Sequence, residues 1–541
     1  MLSKAGFSFP RVGFGIACLI GLVGAFVGLT TSSLWADEFF TVWVIGHNSG
    51  IGEIVNRLLT DTHPPAFYVP LYIYTRVLGD SDFSLRLFSA LCATSAVVVF
   101  LAATGRALSV PARLFGGALA TSSAFWFYQA QNARDYSFSM LCGSILAALC
   151  VRILLSESDD QKRRLIIFAI APFSVFCAFV HFYLMFVSLA VLSVLFLFVP
   201  KQRIILIITF LAVFASSAAY VKFVIDRYSQ FNLVSNWIPH GYGWIFQQLK
   251  IAATESLNRA TAIAVIVCLA VIVLGWRRTT QMRDESSAAK LLEVRWLKNS
   301  IDLDWLIVLG FGVPLIANLG GIVSSMVISP NVTDRNLLVC SPFLWLGFAR
   351  IYDLGPGRIR GPARTWIDAG LALLLLVASS VVVGRALPSS ETFREGAQWI
   401  RDIPACRSQP IPVISMTDPK FIKPGFMPTV VGAQYGYYLQ GFAPTWPIDR
   451  VHIADGHAPA GLGGELARRL DGEGCPVLGW VAHDASSQDV PSLEQALLIA
   501  AGRPKSAGQV RIQDFAVYKL GFDRRKMPPT GFILFADRGG R

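Results

Sequence analysis

Apolar positions along this chain gather into long charge-free runs separated by short polar joints. The first, Val12 to Leu34, holds 23 residues without a charge. A helix of roughly 20 apolar residues crosses the hydrocarbon of a bilayer. Runs at 87–104, 114–131, 136–151, 204–221, 260–276, 305–329, 337–349 and 369–384 predict further spans. Leu165 to Val199 has 35 uncharged residues, too many for one span, and predicts two short helices turning near His181. The pattern predicts about eleven spans. No small-residue cleavage site follows the first run, so it reads as a retained anchor rather than a signal peptide.

Two polar joints carry a helical period of their own. Ile51, Ile54, Val55, Leu58 and Leu59 fall on one helical face, which predicts an amphipathic helix lying flat at the membrane interface. Trp244, Ile245, Leu249 and Ile251 suggest a second one in the segment 226–259. Beyond residue 387 the pattern changes, with Pro, Gly and charge throughout. Glu391 to Arg401 and Ser492 to Ala501 read as helices there. Pro412 to Ser415, Pro476 to Ala482 and Phe515 to Leu520 read as strands. The expected fold is therefore mainly α. Residues 1–387 form a polytopic transmembrane helix bundle, and residues 388–541 a small extracytoplasmic α/β domain.

Composition agrees with a membrane class. Charged residues are 15% and hydrophobic residues 54% of the chain, against about 25% charged in soluble domains. Mean hydropathy is +0.53. Disordered, collagen-like and coiled-coil classes are excluded by the scarcity of charge and the length of the apolar runs. The net charge of +12 is explained by its placement. With the N-terminus in the cytoplasm, twenty Lys and Arg fall on cytoplasmic segments up to residue 365 and nine on the outer side. No nucleic-acid partner is needed to account for the charge. Seven of nine cysteines lie in apolar runs. Cys406 and Cys475 instead precede predicted strands of the outer domain. If those strands are parallel neighbours, the two form a disulfide in an oxidising compartment.

Chemistry-bearing residues collect on the outer side. Asp37 and Glu38 end the first run, where an acid can serve as a general base or cap the next helix. His63 precedes Pro64 and Pro65, which fix the backbone around it. Arg134, followed by Asp135 and Tyr136, can grip a lipid phosphate or snorkel to headgroups. His181 sits at a predicted hairpin before Phe182 and Tyr183, either as an anion ligand or bonded to a helix end. Arg335 follows Asp334 and precedes the Pro342 run, where an outer-side cation needs an anion. The chain contains no phosphate-binding glycine loop, HExxH or GxSxG motif and no zinc spacing. An enzyme on this face must use an activated donor delivered through the membrane.

The order of these motifs resembles the C-type membrane glycosyltransferases, in particular the bacterial protein-mannosyltransferase-like branch (family 39 and its RgtA/B/C/D-like relatives). The motifs are an Asp37-Glu38 pair, a loop helix, His63-Pro64-Pro65, and Arg86 in Ser-Leu-Arg-Leu-Phe-Ser. Ala-Arg134-x-Tyr136, His181-Phe-Tyr and Arg335 follow, so the resemblance spans roughly 12–350. It implies transfer of a sugar from a polyprenyl-phosphate donor to a glycan, lipid or protein acceptor, in the inner (plasma) membrane. It implies Asp37, with Glu38 beside it, as the catalytic acid, and Arg134, Arg335, Tyr136, His63 and His181 as substrate-binding residues. No cofactor or metal is implied. Two positions depart from the family pattern. Asn336 stands where Tyr is common, and Asp135 occupies the variable place. A transporter or flippase of a lipid-linked substrate, and a non-catalytic glycan-binding scaffold, are the alternative readings of the same chain.

Overall fold

The computed structural model describes residues 9–385 apart from 32, 47–49, 59–62, 157–159, 231–237, 239–240, 285–303 and 360. Beyond them it describes five strands and a few single positions. The chain divides into two compact units. One holds Met1–Val27, Val55–Asp226 and Ile238–Ala386; the other holds Gly28–Ile54, Arg227–Trp237 and Leu387–Arg541.

The first unit is helical. It contains α1 (Phe9–Gly24), α4 (Tyr68–Leu78), α5 (Asp82–Ala103), α6 (Val110–Thr121), α7 (Ala124–Ala130), α8 (Tyr136–Leu155), α9 (Asp160–Ala178) and α10 (Phe182–Phe198). It continues with α11 (Arg203–Gln230), α12 (Tyr242–Ser256), α13 (Arg259–Asp284), α14 (Trp305–Val327), α15 (Asp334–Leu337), α16 (Ser341–Leu354) and α17 (Pro362–Arg385). Two helices near the unit boundary, α2 (Ala36–Ile45) and α3 (Ile51–Leu58), precede α4.

Among the described residues six helices are long and apolar enough to cross a membrane, or seven if the bent pair α12–α13 is one span. Phe182–Phe198 and Arg11–Gly24 are shorter apolar helices. This is a multi-pass membrane protein. The turn expected near His181 is present, between α9 and α10. The amphipathic spacing at 51–58 is realised as α3, with Ile51 and Val55 exposed and Ile54 and Leu58 buried.

Two expected single runs are broken, for identifiable reasons. The run 114–131 is α6 and α7, parted at Ser122 and Ser123. The Ser122 hydroxyl donates back to the Ala118 and Leu119 carbonyls, and the Ser123 hydroxyl accepts the Trp126 N–H and so caps α7. The interrupted backbone is picked up from outside, as Asn258 Nδ2 donates to the Ser122 carbonyl at 2.9 Å. In the first run the helix stops at Gly24, and Gln131 Nε2 donates to the Val27 carbonyl at 2.6 Å in the turns that follow. A helix of 16 residues is about 24 Å long, short of a full hydrocarbon core.

Two helix backbones come into direct contact where α14 crosses α16. A π-turn over Val308–Gly312 opens α14. There a Cβ on Gly310 would overlap the Cα and N of Gly347, and one on Gly347 would meet the Phe311 ring. Phe311 in turn packs edge-on to Phe348, with ring centroids 5.4 Å apart. The seven described cysteines are buried and unbridged.

The second unit carries a five-stranded mixed sheet. Its strands are β1 (Val413–Thr417), β2 (Thr445–Asp449), β3 (Val477–Ala482), β4 (Val510–Asp514) and β5 (Thr530–Phe535), in the order β2-β1-β3-β5-β4. β1 pairs parallel with β2 and β3, with Val413 opposite Gly479 in the latter. β5 pairs antiparallel with β3 and β4. β1 and β3 coincide with two strands expected from the sequence. The expected strand Phe515–Leu520, most of both expected helices, and Cys406 and Cys475 lie outside the described residues.

Candidate active site

Four of the sequence-selected residues meet at one end of the helical unit. Pro65 begins a short 3₁₀ turn, Pro65–Phe67, and the Ala66 N–H donates to the Phe179 carbonyl at 2.8 Å. That bond ties the His63 loop to the turn that ends in His181. The Tyr220 hydroxyl of α11 donates to the His63 carbonyl at 3.2 Å. Arg134 is buried just before α8 and lies 2.8 Å from His63, Nη2 to Nε2. Guanidinium only donates, so His63 accepts at Nε2. The Tyr136 ring, at the first position of α8, lies 5.4 Å from the His181 ring.

His181 is itself a helix cap. Its Nδ1 accepts the Tyr183 N–H at 3.1 Å at the start of α10. With Nδ1 accepting, the ring proton sits on Nε2. Burial pushes the imidazole below its ordinary range. Asp135 opposes that shift, His63 and Arg134 add to it, and Asn336 opposes it. The neutral form therefore dominates near pH 7. His181 serves both as a cap and as a member of a polar cluster, so the two sequence readings are compatible.

Arg335 lies half-buried on the short helix α15, next to Asn336 in the chain. The loop that carries them is pinned from several sides. Thr333 caps α15 by accepting the Asn336 N–H, and Asn336 Nδ2 donates to the Asn331 carbonyl at 2.7 Å. Asn331 accepts the Tyr183 hydroxyl at 3.1 Å. From α12, Trp244 Nε1 donates to the Val332 carbonyl at 2.8 Å and Gln248 Oε1 accepts the Asp334 N–H at 2.9 Å. The helix expected within 226–259 is present as α12 and braces this loop.

Asp37 and Glu38 open α2 in the second unit. Glu38 is fully buried and its Oε2 accepts the Trp35 N–H at 3.2 Å, closing the helix start. Asp37 is only partly buried. Phe39, on the same helix, stacks edge-on with Tyr437 at 5.9 Å. Of the two adjacent acids, Glu38 has taken the capping role. Sequence reasoning passed over Asp135, Asn336, Asn331, Tyr220 and Gln248. Asp135 and Asn336 carried a signal, since both were departures from the family pattern. Among the described residues no three His, Cys, Asp or Glu side chains form a metal-binding group. Arg, imidazole and amide donors gathered this way suit a phosphate-like anion.

No protein-family model matches the chain, and no curated protein matches it. Solved structures do. ArnT from Cupriavidus metallidurans in the apo state superposes with a TM-score of 0.53 at 12% identity, over 96% of this chain and 97% of that one. The fold is similar to that of ArnT. A second ArnT structure, bound to undecaprenyl phosphate, superposes with a TM-score of 0.51 at 12% identity, covering 97% of this chain and 98% of that chain. At this identity the likeness is one of fold.

Proposed function

We propose that this protein is an integral membrane glycosyltransferase. It moves a sugar from a polyprenyl-phosphate donor to a lipid, polysaccharide or protein acceptor at the outer face of the inner membrane. The observation that carries the reading is the Arg134–His63 pair, 2.8 Å apart, gathered with Tyr136 and His181 at the helix ends. It occurs in a fold similar to ArnT, one structure of which holds undecaprenyl phosphate. About eleven spans, a cytoplasmic N-terminus, an extracytoplasmic α/β domain at 388–541 and membership of the family 39 branch belong to the same proposal.

Asp37 takes the proton from the acceptor hydroxyl as its oxygen attacks the anomeric carbon. The carbon–oxygen bond to the lipid phosphate breaks on the opposite face, so configuration inverts. Arg134 and Arg335 stabilise the charge that grows on the departing phosphate, and His63 and His181 add neutral hydrogen-bonding groups. Glu38 does not compete for the proton, because its carboxylate holds the start of α2.

The test uses purified protein, a polyprenyl-phosphate sugar and mixed envelope acceptors. Wild type is expected to release polyprenyl phosphate and glycosylate an acceptor. Asp37→Asn is expected to bind donor normally and lose turnover by roughly 10²–10⁴-fold, the usual contribution of a general base. Normal turnover by Asp37→Asn removes the assigned base. Lipid translocation by wild type without sugar transfer supports the transporter reading instead.

A further inference from the structure

Asp135 is a buried acid that phosphate binding leaves without a task. It follows Arg134 directly and stands just before α8, where an Asp ordinarily caps the helix by accepting a backbone N–H. Here it does not. Its φ of −70° and ψ of −11° are already helical, and its side chain accepts no cap hydrogen bond. The residue is only 5% exposed. Among the described residues its carboxylate takes part in no hydrogen bond or ion pair, yet its oxygens are not sealed from solvent. It stands in the chain between Arg134 and Tyr136, both members of the cluster described above.

An ionised carboxylate withdrawn from water without a partner is costly, and such groups in membrane proteins line functional cavities. What completes it must be a hydrogen-bond donor. Its location narrows the choice. One residue away, Arg134 takes the donor phosphate in the reading above, and the group joined to that phosphate is the sugar. Sugar hydroxyls, or an amine replacing one, are the donors closest to a glycosyl phosphate.

We infer that Asp135 recognises the donor sugar by accepting hydrogen bonds from its hydroxyl or amine groups. This rests on the transferase reading. Arg134 then serves the part common to all polyprenyl-phosphate donors, and Asp135 the part that differs between them.

The test measures binding of three lipids to the purified full chain. They are polyprenyl phosphate, a polyprenyl-phosphoryl neutral sugar and a polyprenyl-phosphoryl amino sugar. Asp135→Asn and Asp135→Ser are compared with wild type. Both variants are expected to bind the sugar-free lipid as wild type does, which also shows that they are folded. Affinity for the cognate sugar-bearing lipid is expected to fall roughly 10- to 100-fold, the cost of losing hydrogen bonds to a charged group. A larger loss on the amino sugar identifies an amine as the partner, and a larger loss on the neutral sugar identifies hydroxyls. Equal losses on all three lipids, or no loss on any, overturn the assignment. Wild-type protein that binds none of the three lipids sinks the transferase reading itself.

Discussion

Replacing Gln248 by Leu isolates the brace between α12 and the loop that carries Arg335 and Asn336. Leu has nearly the same volume, so the change removes one acceptor with little repacking. Gln248 is 4% exposed, and its Oε1 accepts the Asp334 N–H at 2.9 Å. That N–H opens α15 and has no partner inside the helix, as is true of every helix start. Losing the bond forfeits about 1 kcal/mol, and leaving a part-buried N–H unsatisfied adds up to about 1–2 kcal/mol more. The Trp244 bond to Val332 remains and holds the neighbouring residue, which keeps the total near the lower end. About 1.5–2 kcal/mol corresponds to a 10- to 30-fold change in an equilibrium. If the loss falls on the order of α15, affinity for a polyprenyl-phosphate sugar falls by that factor while turnover at saturation changes little. Donor titration by a fluorescence or competition assay reads the first, and saturating kinetics the second. Unchanged donor affinity, with an unchanged melting temperature, would show that α12 does not position this loop.

Two further outcomes are expected. His181 has a folded-state pKa below its ordinary 6.5, chiefly through burial, so the unfolded chain takes the proton first as pH falls. Its stabilising contribution is full above about pH 6.5 and is lost as the pH falls below it. His181→Gln should therefore flatten the acid side of a melting-temperature profile taken from about pH 8 to about pH 5, and an unchanged slope refutes the assignment. Cys406 and Cys475 are expected to be disulfide-bonded, because β1 and β3, which they precede, are parallel neighbours. The chain-entropy model gives such a long loop on the order of 4 kcal/mol. Free thiols at both positions in non-reducing peptide mapping rule the bridge out.

The elements that the sequence predicted well share one property, in that a single periodicity decides them. Long charge-free runs became long helices, and the spacing of Ile51, Ile54, Val55 and Leu58 became α3. Breaks within the runs were harder to read, because their causes lie elsewhere in the chain. Nothing near Ser122 distinguishes it from other membrane serines until Asn258 is brought against its carbonyl. The end of α1 depends in the same way on Gln131, more than a hundred residues on. Of the candidate site residues, the structure brings His63, Arg134, Tyr136 and His181 together, each at or just before a helix start. Asn336 and Asp135 were visible only as mismatches to a family pattern. Their meaning depends on their effect on His181, which sequence order does not reveal. Asp37 and Glu38 looked equivalent as neighbours, and the burial of Glu38 and its hydrogen bond from Trp35 separate them.

The glycine-to-glycine contact between α14 and α16 has a mechanical consequence. These helices are the two arms of a hairpin whose tip is the stretch 328–337, and at Gly310 and Gly347 their backbones touch without an intervening side chain. A greased interface of Leu or Met can shear, whereas this one is a rivet, since a sliding step would drive Phe311 into the neighbouring backbone. Gly310 lies about 27 Å of helix from the tip. The arms therefore act as a stiff strut behind the tip. If the donor is held as proposed, any movement of this hairpin that admits it falls within 328–337 rather than between the arms. Substitutions there would retune which lipid-linked sugar fits, while a methyl group added at Gly310 would unseat the strut and be felt as a loss of folded protein.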